Sequence, residues 1–470
     1  MTTDRLFRPV WRGLMVMAAV PLLSVLGAAA QGTAPLADSA AVAPAGPLTL
    51  ADVVALSLRN NPDTRAAYAQ AQAAAALYGV SRGSLFPTVS ASAPVTRSKS
   101  VSGGGSFGGE RTQFNPGLSM SYLLFDFGGR SGTIAQARET AVAASAQSDV
   151  TVQGTVLEAE AAFFGYNAAR DVAAAGRENV RTATEARDAA IQLWRVGLAT
   201  VADTLQASTA LAQAELSLLT AQGQVQTARG ELASVMGIPA DSPFEVVAPP
   251  GPLTIRTVAA GVDSLMARAV RERPELAAAQ AEAAGAAAQI RVARAAALPS
   301  LTLGGNAGRN FSSISTQNGN TYGLSVGLSV PIFSGFARRD AMRAARATLD
   351  AARARVEATR VRVANQVYTS YTSLQVAAAR VRASAQLLAS AVQSEAVARG
   401  RYREGVGSII DLLTAQNALA SARAQDAQSR WVWQTALSQL AHDVGTLDRS
   451  GAPGLPLTIS NATPAPEVTP

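Results

Sequence analysis

Few side chains in this sequence are of types that do covalent or redox chemistry. There is no cysteine, and the one histidine is His442. Disulfides, thiolate metal sites and a cysteine nucleophile are excluded, and most histidine-based catalysis with them. No nucleophile, base and orienter fall at usable spacing, so an enzyme is the least supported class and no cofactor or metal is expected. Gly103-Gly104-Gly105 is not a phosphate loop, because no Gly-Lys-Ser/Thr follows it. Asp203 and Asp411 each fall in the first turn of a predicted helix, where a carboxylate favours the positive helix end by about 0.3–1 kcal/mol. Trp431 and Trp433 read as packing residues on the last helix, and His442 as a capping or surface residue.

Asp203 and Asp411 belong to a longer correspondence. Pro62-Asp63 is matched by Pro274-Glu275, and Leu85-Phe86-Pro87 by Ala297-Leu298-Pro299, at an offset of 212. Beyond them the offset is 208, pairing Phe125 with Phe333, Arg130 with Arg338, Val196-Gly197 with Glu404-Gly405, and Gly237 with Gly445. The chain is therefore written twice, with repeat 1 over 48–236 and repeat 2 over 262–447. The proline-rich stretch 237–261 reads as a linker between them. Residues 31–47 form an Ala/Pro-rich lead-in, and 448–470 a Pro-rich tail expected to be disordered.

Each half reads as helix, strand, loop, strand, long helix, turn, helix. The helices are predicted over Thr49–Arg82, Arg130–Leu193 and Val201–Met236, then over Val262–Ala297, Arg338–Arg401 and Ile409–Val444. Thr49 and Asp52 form a capping-box pattern. The 64 residues from Arg130 to Leu193 contain no proline and at ~1.5 Å per residue span roughly 100 Å. No single globular core needs helices of that length, whereas a coiled-coil wall or tube does.

The strand segments alternate. Val89, Ala91, Ala93 and Val95 are set against Thr88, Ser90 and Ser92, and Leu118, Met120, Tyr122 and Leu124 against Ser119, Ser121 and Leu123. In the second half Leu301, Leu303 and Ala307 oppose Ser300, Thr302 and Asn306. Tyr322, Leu324, Val326, Leu328 and Val330 oppose Gly323, Ser325, Gly327 and Ser329. One face is apolar and the other small and polar, the period-two pattern of a membrane barrel, although a sheet packed on a soluble core would alternate too. Phe86, Phe125, Phe127, Phe311, Phe333 and Phe336 sit near strand ends, as an interfacial girdle would. Four strands cannot close a barrel, because the smallest have about eight. Copies must be pooled, giving eight strands in a dimer or twelve in a trimer, and a conducting lumen favours the larger count. The Gly/Ser-rich loops 102–109 and 312–320 join the strands.

Bulk features agree with export. Arg5, Arg8 and Arg12 precede the apolar 13-residue stretch Leu14–Leu26, and Ala28-Ala29-Ala30 offers a cleavage site before Gln31, so a signal peptide is expected over 1–30. Its removal lowers the formal net charge from +7 to +5. No Lys/Arg-rich run with interleaved aromatics occurs, so nucleic acid is not an expected partner. No later segment reads as a transmembrane helix, which leaves a β-barrel as the way across a membrane.

The duplicated strand–strand–long-helix layout resembles the TolC-like outer-membrane efflux protein family over roughly 48–447. The residues that carry the resemblance are Asn60-Asn61-Pro62-Asp63 and Leu85-Phe86-Pro87; Leu124-Phe125-Asp126-Phe127-Gly128-Gly129-Arg130 and Pro331-Ile332-Phe333-Ser334-Gly335; and Arg195-Val196-Gly197-Leu198 with Asp203, and Tyr402-Arg403-Glu404-Gly405 with Asp411. The resemblance implies an α+β membrane protein and a homotrimer. Each repeat would supply two strands to a 12-stranded β-barrel in outer-membrane lipid and a long helical hairpin to a periplasmic α-barrel. It further implies a passive exit duct of a tripartite efflux or type I secretion system, docked at the hairpin tips by a periplasmic adaptor protein and an inner-membrane transporter. The tip contacts would be Val196, Gly197, Leu198, Gly405, Val406 and Gly407. Asp411 matches an acidic ring at the pore entrance, and the family's second acidic position is Thr414 here. Tyr402 and Asp203 match a latch between neighbouring hairpins, while an arginine of that latch is replaced by Gly407. The competing readings are a periplasmic adaptor and a structural coiled-coil envelope protein.

Overall fold

The computed structural model describes residues 46–101, 107–247, 256–258, 261–313, 318–447 and 457–459. The expected signal peptide, most of the lead-in and tail, and the strand-joining loop tips lie outside the described residues.

The short helices come in end-to-end pairs. Each was expected as one continuous helix, but the structure breaks both at proline. Helix α1 (Leu50–Asn60) gives way to α2 (Pro62–Gly83), and in the second half α5 (Val262–Glu272) gives way to α6 (Pro274–Ala295). The residue before each proline, Asn61 or Arg273, is extended with ψ 123°. Clash with the proline ring disfavours the helical region there, and the ring has no N–H to donate. Thr49 and Asp52 make the expected capping box at the start of α1. The long helices have no such break: α3 runs Gly129–Arg195 and α7 runs Ala337–Arg403, each 67 residues and about 100 Å long.

Helix α3 folds back on α4 (Val201–Val235), and α7 on α8 (Ile409–Val444). In the lower half α8 packs against α3, and in the upper half α6 lies between α3 and α7. Most seams are alanine, including Ala186, Ala190, Ala207, Ala288 and Ala391, which lets backbones approach closely. Large buried side chains concentrate at the waist, where α1, α5 and the ends of α4 and α8 meet the middles of α3 and α7. Val53, Val54, Phe163, Leu232, Met236, Leu265 and Leu440 are almost fully buried there. Trp431 stacks on Phe164 and donates its indole N–H to Asp171 at 2.7 Å; both tryptophans are buried, as expected.

The strands that join the short helices to the long ones form one antiparallel sheet. Strands β1 (Thr88–Ser92) and β2 (Val95–Val101) are two parts of one excursion interrupted near Pro94, and β3 (Phe107–Phe114) and β4 (Gly117–Phe125) are two parts of the next, interrupted at Pro116. Strands β6 (Ser300–Ser312) and β7 (Gly319–Ser329) are continuous. Strand β1 pairs with β4, β2 with β3, β4 and the end of β3 with β6, and β6 with β7. The two halves thus meet at the β4–β6 ladder, leaving β1/β2 and β7 as edges. Register puts Ala91, Leu118, Ala307 and Tyr322 in one cross-strand row, and Val89, Met120, Gly305 and Leu324 in the next. Ser90, Ser119, Asn306 and Gly323 share the opposite face. No helix covers the apolar face: Tyr322 is 89% exposed and Leu324 76%.

A two-stranded pair was not foreseen. Leu457–Ile459 (β8), in the stretch expected to be a disordered tail, pairs antiparallel with Arg256–Val258 (β5) in the linker. Leu48, at the start of the first repeat, forms a parallel bridge to Val246 in the linker.

Candidate functional site

The tips carry most of the residues singled out from the sequence. Chain reversal there requires Gly197 and Gly405, with φ of 81° and 72°. Each closes its long helix with the same pair of bonds. Gly197 and Leu198 N–H donate to the Trp194 and Leu193 carbonyls, and Gly405 and Val406 N–H to those of Tyr402 and Arg401. This is the Schellman arrangement, and a side chain at the left-handed position would be strained. Val196, Leu198 and Val406 project into solvent, each about 70% exposed. Gly407 lies against the end of α7, where an added Cβ would come within 3.0 Å of the Tyr402 nitrogen.

Asp203 closes a capping box at the start of α4, accepting from Thr200 N–H at 2.8 Å while Thr200 Oγ1 accepts from Asp203 N–H. Asp411 occupies the matching place in α8, but Ser408 caps that helix, accepting from Ile410 N–H. The Asp411 carboxylate is therefore not engaged by its own cap. Asp411 and Thr414 are both exposed and, three apart on a helix, face the same way. Tyr402 is buried among Ala186, Ala190, Ala207, Ile409 and Leu412, and its hydroxyl has no hydrogen-bond partner within the chain. Burial and the nearby charge of Asp203 hold its pKa above the ordinary tyrosine value. The structure thus brings Tyr402 and Asp203 to adjoining tips without a hydrogen bond between them in a single chain.

Above the tips an ion-pair cluster joins the two hairpins. On α3, Arg181 pairs with Glu178 and Glu185, and Arg181 holds the Glu178 carboxyl below its usual pKa. From α7, Arg399 bonds Glu395 at 2.6 Å and reaches Glu185 at 3.8 Å; from α8, Arg423 reaches Asn179 at 3.3 Å and Glu178 at 4.0 Å. The spacing Glu178-Arg181-Glu185 is visible as an i, i+3, i+7 pattern; its partners on α7 and α8 are too distant in sequence to be read.

A second polar knot sits at the waist. Arg273, almost wholly buried, pairs with Glu275 at 2.6 Å and Asp443 at 3.3 Å, and donates to the His442 carbonyl and to Gln366. His442 is mostly buried and shares a hydrogen bond with Asp443, so it belongs to this knot and is neither a surface residue nor an isolated cap. Burial raises the Asp443 pKa, but hydrogen bonds from His442, Gln439 and Ser370 and the imidazole charge outweigh it and leave the carboxyl below its ordinary value. In the first half the equivalent tie is neutral: Asn60 Nδ2 donates to the Met236 carbonyl at 3.2 Å. Among the described residues no group of His, Asp and Glu could hold a metal ion.

The sequence profile of the outer membrane efflux protein family matches residues 53–238 and 265–446, one stretch for each repeat. Protein CyaE of Bordetella pertussis is 30% identical over 413 residues, covering 87% of this chain and 86% of that protein. The alkaline protease secretion protein AprF of Pseudomonas aeruginosa is 27% identical over 422 residues, covering 86% and 85%. Among solved structures, the outer-membrane channel OprN superposes with a TM-score of 0.75 at 22% identity, covering 85% of this chain and 90% of that one. A duplicated hairpin-and-strand fold, a family profile spanning both repeats and a relative aligned along nearly its whole length agree: the chain belongs to the outer membrane efflux protein family.

Proposed function

We propose that three copies of this chain form a passive exit duct across the outer membrane, gated at the hairpin tips and fed by an adaptor and an inner-membrane transporter. The observation that carries this reading is the sheet: four long antiparallel excursions, an uncovered apolar face and two unpaired edges. In lipid each unpaired backbone group costs several kcal/mol, so β7 of one copy must pair with β1/β2 of the next. The helices need neighbours as well. Tyr68, Leu77 and Val80 on α2, and Val361, Tyr368 and Val376 on α7, are each more than half exposed. Exposed Val196, Leu198 and Val406 offer an apolar surface to a docking partner.

Asp411, exposed and outside its own cap, is the residue best placed to ring the entrance, with Thr414 beside it. The Tyr402 hydroxyl, buried and unpartnered among the described residues, lies near Asp203 and would need the tip to shift before it could bond to the next copy. AprF is named for protease secretion, which makes an exported protein one candidate cargo beside the small molecules of efflux.

Light scattering of detergent-solubilised protein, corrected for detergent, tests the assembly: three chains per particle are expected. In a planar bilayer the same material should give unitary current steps. Monomers without conductance would overturn the reading.

A further inference from the structure

We infer that the rim of the sheet holds a site for anionic, phosphate-bearing lipid headgroups, built from Arg97 and Arg309 on its outward face; this rests on the outer-membrane reading above. The face follows from register. Strand β6 pairs with β7 without a slip from Ser300 to Asn310, so Arg309 and Phe311 share the face of Leu301, Leu303 and Ala307. Phe311 is paired with Phe114, Phe114 with Val95, and Thr112 with Arg97. Arg97 therefore continues the same face one row beyond the aromatic pair, and Lys99 and Glu110 form the next row.

Height decides what this face meets. From Leu301, opposite Phe125, to Phe311 is ten residues, about 34 Å along a strand and about 25 Å along the normal at a tilt of about 40°. That matches the apolar band of an outer-membrane barrel, with Phe125 and Phe127 at one interface and the stacked Phe114–Phe311 pair, centroids 6.0 Å apart, at the other. Between these levels the one charge on the outward face of the described paired rows is Arg309, one row inside the Phe114–Phe311 pair and opposite Asn320. Beyond the aromatic pair the outward face carries Arg97 and Lys99 against one carboxylate, Glu110, which pairs with Arg97.

Arg309 is the telling residue. An arginine on a lipid-facing strand is tolerated only near the interface. Its guanidinium lies over the Phe311 ring, 5.0 Å from the centroid, so the side chain runs toward the rim, as long cationic side chains do at interfaces. A guanidinium fork there matches the geometry of phosphate oxygens. The stacked phenylalanines beside it offer a platform for acyl chains that a free anion would not use, which selects a lipid over dissolved phosphate.

The test uses the full chain in nanodiscs of equimolar phosphatidylglycerol and phosphatidylcholine, with retained lipids counted by native mass spectrometry. The expected result is enrichment of phosphatidylglycerol, falling about fivefold for each arginine removed in Arg97→Ala and Arg309→Ala and largely kept in the Arg97→Lys/Arg309→Lys variant. Equal retention of both lipids, or enrichment unchanged in the double alanine variant, overturns the site. Displacement of the lipid by excess inorganic phosphate overturns its assignment to a headgroup. Entry into nanodiscs without lipid preference removes this site alone, whereas failure to enter at all removes the membrane reading with it.

Discussion

Asp411 stands in the first turn of α8 with no cap to satisfy, and in a ring of three it would set the charge of the entrance. A unit charge about 4 Å away in water contributes about 1 kcal/mol, so three carboxylates acting on one ion should raise cation preference by roughly tenfold or more. Asp411→Asn is expected to lower the cation-to-anion permeability ratio by about that factor and to abolish block by multivalent cations, both read from reversal potentials and single-channel traces. Gly405 is a different kind of position. A β-branched residue at φ 72° is strained, and Gly405→Val should cost about 1–2 kcal/mol of stability, measured as a lower denaturation midpoint. At the waist, the depressed pKa of Asp443 makes its contribution fully present above the ordinary aspartate pKa and lost as pH falls through the lower folded value. Asp443→Asn, which leaves the buried Arg273 with Glu275 as its remaining carboxylate partner, should destabilise by about 1–3 kcal/mol at neutral pH. The variant should also flatten the acid limb of a melting-temperature profile below about pH 4.

Between elements, the cluster of Glu178, Arg181 and Glu185 with Arg399 and Arg423 binds α3 to both helices of the other hairpin. Each of these half-exposed pairs is worth only about 0–1 kcal/mol, yet they act together on the seam that must part if a tip opens. Arg399→Ala combined with Arg423→Ala should leave the melting temperature nearly unchanged and raise open probability in bilayer recordings; an unchanged open probability would separate the cluster from gating. This is also the scale at which the sequence was most and least legible. The long helices and the last helix were readable nearly to the residue, because proline-free runs end at tip glycines that recur at a fixed offset. The α1/α2 and α5/α6 breaks are written in Pro62 and Pro274, which mark the repeat and also hold the residue before them out of the helical region. The β4–β6 ladder, the β5–β8 pair and the Arg273–Asp443 contact join residues some 170 or more apart, or short segments without a period, and no local pattern encodes them. Asp411 and Tyr402 were legible through the tip motifs, but the capping of Asp203, the burial of Tyr402 and the tight packing around Gly407 required coordinates.

For the whole molecule, the two repeats fold alike but are tied at the waist by unlike chemistry, a neutral amide in one half and a buried ion network in the other. The sheet's alternation has a further consequence. No helix among the described residues is long and apolar enough to cross a membrane, and the strands place a serine, threonine, asparagine or glycine between most of their apolar residues. A machinery that retains polypeptides by reading some twenty consecutive apolar residues finds no such run in them. Alternation therefore hides the apolar content of these strands while they are unpaired, and their greasy surface comes into being only once they are paired.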